Sequence, residues 1–123
     1  MLAMMAASCK KATTDTSEPS ITISSPTEGQ NLMQMTTTDS ATLTVHITDQ
    51  DLHSYSILIE KETGGDTLLY VPETHQEEND LHISEKFPLH VVSGTVLYVV
   101  TVDAEDHSSN EGEEQRNFTV THM

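Results

Sequence analysis

The chain has 123 residues, with 20 acidic side chains against five basic ones and a formal net charge of −15 at pH 7. That length suits one domain. The charge argues against nucleic acid, which needs Lys and Arg clusters, and no apolar run reaches the roughly 18 residues that a membrane-crossing helix needs. The single cysteine, Cys9, excludes an intramolecular disulfide, so three Tyr and two Phe must join aliphatic residues in a core held by packing.

Residues 1–8 form a short apolar stretch that reads as the remnant of a signal peptide. Cys9 follows the small residues Ala7 and Ser8 and precedes a polar run, the arrangement expected of a lipid-attachment cysteine. Residues 9–19 then read as the lipidated cysteine and a flexible tether. The folded domain is expected over 20–123.

From Ser20 the apolar period becomes two, the signature of strands. Ile21 and Ile23 alternate with Thr22 and Ser24, and Pro26 and Gly29 supply a turn. Leu43, Val45 and Ile47 mark a half-buried strand that Asp49-Gln50-Asp51 breaks. Tyr55, Ile57 and Ile59 form the next set, and Gly64-Gly65 the next turn. Short strands follow at 68–71 and 81–87, the latter a candidate edge strand. Val96, Tyr98, Val100, Val102 and Ala104 form the longest alternating line, with Leu97 and Val99 predicting burial on both faces. Phe118 and Val120 close the domain. No segment after Pro19 has helical spacing. Seven short strands separated by turns predict an all-β, immunoglobulin-like β-sandwich.

Two segments resemble a known family. Ile21 to Gly29 resembles the opening of bacterial Ig-like modules, where a first strand runs into a Pro-x-x-Gly turn. Tyr98 to Asp106, followed by Asn110 and Glu111, resembles their sixth strand and the loop after it, with Ser109 where a glycine is usual. Together with Ser8-Cys9-Lys10-Lys11, the chain is similar to small Ig-like lipoproteins of Bacteroides-type bacteria. The resemblance implies the fold and an address in the cell envelope, as an outer-membrane lipoprotein facing either the periplasm or the surface. It implies no catalytic residues.

In such a sandwich the loops over 49–53, 73–80 and 103–114 share one pole, and they hold many acids and no Lys or Arg. Converging carboxylates repel unless solvated or bridged by a cation. Oxygen-rich loops suit Ca²⁺, and Asp49, Asp51, Asp103, Asp106 and Asn110 are its expected ligands. The same loops bring His53, His75 and His107, whose neutral imidazoles would instead suit Zn²⁺ or Cu²⁺. His46, His82, His90 and His122 are expected on exposed strand faces or ends.

A hydrolase needs a nucleophile, a base and an orienting acid, and adjacent Asp106-His107-Ser108 cannot supply triad geometry. The sequence therefore predicts a non-enzymatic protein. One reading is a membrane-anchored binding or adhesion-type module that meets a protein or glycan partner. A second is a divalent-metal (Ca²⁺ or Zn²⁺) binding lipoprotein. A third is a structural spacer in an envelope complex.

Overall fold

A computed structural model describes residues 17–36 and 38–122. The apolar leader, Cys9 and most of the expected tether lie outside the described residues. Within them the protein is all-β, with eight strands in chain order: β1 Ser20–Ser25, β2 Gln30–Gln34, β3 Ser40–Thr48, β4 Leu52–Lys61, β5 Thr67–His75, β6 Asp80–Pro88, β7 Gly94–Asp106 and β8 Glu111–His122. They form a three-stranded sheet, β1-β3-β6, and a five-stranded sheet, β2-β8-β7-β4-β5. All pairings are antiparallel except β2 with β8. This is the expected immunoglobulin-like sandwich.

The extra strand arises at the Pro26–Gly29 turn. Gly29 takes a left-handed φ of 76°, and its N–H donates to the Asn117 carbonyl at 2.8 Å. Glycine reaches that region without a Cβ clash. The turn carries the chain from one sheet to the other, so β1 pairs with β3 while β2 pairs with β8. The weak apolar alternation of Gln30–Gln34 conceals β2 in the sequence.

Ile23, Leu43, Val45, Ile47, Ile83 and Phe87 face the core from the smaller sheet, and all are buried. Ile57, Ile59, Tyr98, Val100, Val102, Ala104, Phe118 and Val120 meet them from the larger one. Phe118 joins the layers, its ring 5.7 Å from those of Phe87 and Tyr98. The predicted two-sided burial of the sixth alternating strand is corrected: Leu97 is 39% exposed. A two-layer sandwich covers only one face of each sheet, so the outer side of β7 meets solvent.

Polar ties close the ends. The Arg116 guanidinium donates to the carbonyls of Ile23 and Pro26, linking β8 to the strand of the opposite sheet. Tyr98 donates its hydroxyl to Asp66 at 2.8 Å. Gln34 is fully buried. Its Oε1 accepts from Val91 N–H at 2.8 Å and its Nε2 donates to Val91 C=O at 3.2 Å. At Gly112 a Cβ would stand 2.7 Å from the Pro19 carbonyl oxygen, so a side chain there would displace the chain entering β1.

Gln34→Ala strands the Val91 N–H in the core, while the Val91 carbonyl keeps His122 Nδ1 at 2.7 Å. Unpaired buried polar groups cost about 1–3 kcal/mol, and a urea midpoint lowered by that amount is expected. An unchanged midpoint would show the Gln34–Val91 pair to be dispensable.

Candidate metal centre

Three loops meet at one end of the sandwich, as expected. Asn79 organises them. Its carbonyl accepts from Asp49 N–H at 3.1 Å, its Oδ1 accepts from Leu52 N–H at 3.1 Å, and its Nδ2 donates to Gln50 C=O at 2.8 Å. The third loop joins when His107 N–H donates to Asp51 C=O at 2.9 Å.

On this frame the chain places His53, His75 and His107 together. In the β4–β7 ladder Leu52 pairs with Asp106 and Ser54 with Glu105, so His53 is an extra residue in a bulge. Bulges re-aim side chains at strand ends. His75 is the last residue of β5, and Gln76 N–H closes the hairpin onto His53 C=O at 2.9 Å. His107 follows the last residue of β7. The ring of His53 lies 4.7 Å from that of His75 and 4.5 Å from that of His107, and the outer pair are 6.3 Å apart. One ligand atom from each residue lies within 4.8 Å of the other two.

The surroundings give the three rings different roles. His107 Nδ1 lies 2.9 Å from Asp51 Oδ1 and 3.0 Å from the Asp51 carbonyl oxygen. A ring nitrogen facing two acceptors carries the proton, which leaves Nε2 with the lone pair. The Asp51 carbonyl and carboxylate hold the His107 pKa above the ordinary histidine value, against a smaller opposing effect of burial. His75 Nε2 stands 3.5 Å from Glu77 Oε2. His53 Nδ1 is buried with no hydrogen-bond partner. A buried nitrogen left without a partner is costly, and a metal ion would satisfy it.

The structure does not gather the five expected Ca²⁺ ligands. Asp51 faces His107. Asp49 Oδ2 accepts from Asp51 N–H at 2.9 Å. Asp106 is buried, and Oδ1 accepts from Ser108 N–H and Asn110 N–H at 2.9 and 2.8 Å. Asn110 Nδ2 donates to Asp106 Oδ2 at 2.9 Å, so this pair shapes the β7–β8 turn. Asp103 lies within β7, directly opposite Glu113 of β8. Burial and a hydrogen bond with Glu113 raise the Asp103 pKa. The reason for the dispersal is strand length. β5, β7 and β8 run further than their apolar residues indicate, and acids predicted in loops instead line strand faces. Several of them, Glu73, Asp103, Glu105 and Glu111, border an open groove of about 210 Å³ that excludes the three histidines.

His46 and His82, expected on exposed strand faces or ends, belong to a second group with Asp80. The signal for it was the pair of outward positions Asp80 and His82, two apart on one strand. Pairing His46 with them required the register.

No family model and no curated protein matches the chain. Among solved structures, an engineered protein matches with a TM-score of 0.54 and 17% identity over 85% of this chain. The chain spans 20% of that protein's length. CopC from Methylosinus trichosporium OB3b matches over 80% of this chain and 88% of its own, at 16% identity and a TM-score of 0.44. Murine CRIg matches over 87% and 99%, at 7% identity and a TM-score of 0.47. These likenesses concern the fold alone.

Asp103→Asn removes the like-charge pair across β7 and β8. A raised folded pKa means that Asp103 favours folding while protonated and that this contribution is lost as pH rises through the folded value. The variant is therefore expected to match the parent in acid and to exceed it near pH 7, by up to about 1 kcal/mol for an exposed cross-strand pair. Urea melts across pH check this, and a variant less stable at pH 7 would contradict it.

Proposed function

We propose that this sandwich is a non-catalytic binding module whose ligand is a divalent late first-row metal ion, Zn²⁺ or Cu²⁺, held by His53, His75 and His107. The observation that carries the reading is the convergence of three imidazoles, from the β4 bulge, the end of β5 and the residue after β7, one of which has a buried nitrogen with no hydrogen-bond partner. Imidazole nitrogen suits these ions, whereas Ca²⁺ takes oxygen ligands. Tetrahedral Zn²⁺ needs nitrogen at about 2.0–2.1 Å and a fourth ligand. Glu77 or water fills that position. Asp51 serves as the outer partner that fixes the His107 tautomer, as carboxylates do behind metal-bound histidines.

Zn²⁺ at about a hundred times its Kd is expected to stabilise the protein by about 2.7 kcal/mol, and EDTA to reverse the effect. His75→Ala and His107→Ala abolish binding at the pole, and Asp51→Asn weakens it about 10–100-fold. Binding weakens as pH falls, because protons compete for the same lone pairs. Titration calorimetry checks each point. A His75→Ala variant that binds at the pole as the parent does would sink the reading.

The same proposal sets the module at the cell envelope through a lipid on Cys9. Ser20 pairs with Thr48 beside the histidine pole, so chain preceding β1 enters at that end. A tether of about ten residues would span roughly 15–20 Å and keep the site near the bilayer. Intact mass of the mature protein should show cleavage before Cys9 and an added acyl mass. A mature protein that retains Met1 would overturn the placement.

A further inference from the structure

We propose that His46, Asp80 and His82 form a second divalent-metal site, on the outer face of the three-stranded sheet. β3 and β6 pair in unbroken register from Ser40–Pro88 to Thr48–Asp80, with His46 directly opposite His82. Leu43, Val45 and Ile47 of β3 are buried, so the alternate residue His46 points outward, as does the position opposite it. Asp80 and His82 are two apart on β6 and share that face. Both imidazoles aim at one atom: Asp80 Oδ1 is 2.5 Å from His46 Nε2 and 3.4 Å from His82 Nε2. The rings stack with centroids 4.1 Å apart and planes 9° from parallel. All three ligand atoms fall within 4.8 Å of one another.

Two protonated rings at that spacing would repel, by about 1 kcal/mol even in water. A divalent ion resolves the arrangement differently, taking one lone pair from each ring and one carboxylate oxygen. Two nitrogens and one oxygen again favour Zn²⁺, Cu²⁺ or Ni²⁺ over Ca²⁺. The donors sit on paired strands, so the geometry is set before the ion arrives. Water completes the coordination at an exposed face. Binding here requires no residue of the histidine pole and stands whether or not the pole takes metal.

The test counts ions on the purified protein with Zn²⁺ and, in parallel, Cu²⁺. Titration calorimetry should show an event that survives His75→Ala and is lost or weakened more than about tenfold in His82→Ala and Asp80→Asn. His82 has a side chain 74% exposed, so its removal leaves the core intact. On the unmodified protein, NMR should show His46 and His82 ring signals shifting with Zn²⁺ and broadening with Cu²⁺. Ring signals that respond to pH but not to either ion would reduce the group to an ion pair and overturn the proposal. So would His82→Ala with the parent's stoichiometry and affinity. Loss of the His75-dependent event alone would instead bear only on the pole.

Discussion

Nine register pairs join β4 to β7, from Leu52–Asp106 to Lys61–Tyr98, and each strand is paired on its other edge as well. This central ladder fixes both the core and the pole. Ile57, Ile59, Val100 and Val102 present one continuous apolar surface along it, against which Leu43, Val45 and Ile47 pack. Burial of that surface is the main force holding a chain with no disulfide among its described residues. The bulge at its end is what frees His53 from the alternation and sends it to meet His75 and His107. Without the bulge, alternation would leave His53 on whichever face its strand parity dictated.

Seven of the strands were legible because a half-buried strand writes its inner face into the sequence as every second residue. Val96 to Ala104 is the plainest case. The ends of strands were not legible for the same reason: Thr74 and His75, Glu105 and Asp106, and Glu111, Glu113 and Glu114 are polar residues of extended chain, and polarity reads as loop. β2 was hidden by a different cause. It pairs along one edge with β8 and contributes its fully buried side chain, Gln34, through hydrogen bonds rather than apolar area.

The candidate ligands followed the same division. Topology alone brings the loops holding His53, His75 and His107 to one pole, so that group could be named before any coordinates. The acid set relied on a further assumption, that all acids of those segments stay in loops. Asp103 is carried away on a strand face, and Asp106 is consumed by the backbone of its own turn. The group on the smaller sheet depended on which residue of β3 faces which residue of β6. A shift of one residue would have put His46 opposite Leu81 or Ile83. Sequence periodicity specifies the face of a residue but not its partner across the ladder.

Charge explains why nitrogen rather than oxygen gathers in these groups. Five Lys and Arg cannot balance 20 acids, and the seven histidines are the remaining source of positive charge. Full protonation would bring −15 to −8, the sum of −15 and seven. Accordingly His46, His75, His82, His90 and His107 each lie beside a carboxylate. Carboxylates spread over strand faces relax their repulsion through water, with the Asp103–Glu113 pair as an exception. Imidazoles are drawn toward the acids, and through them toward one another. The acids raise the attraction for any cation, proton or metal alike. The donor atoms then decide which metal can compete with the proton, because only ions with a preference for nitrogen gain from displacing it. On the proposed reading, an acidic surface with clustered histidines favours nitrogen-preferring ions over Ca²⁺ despite its overall charge.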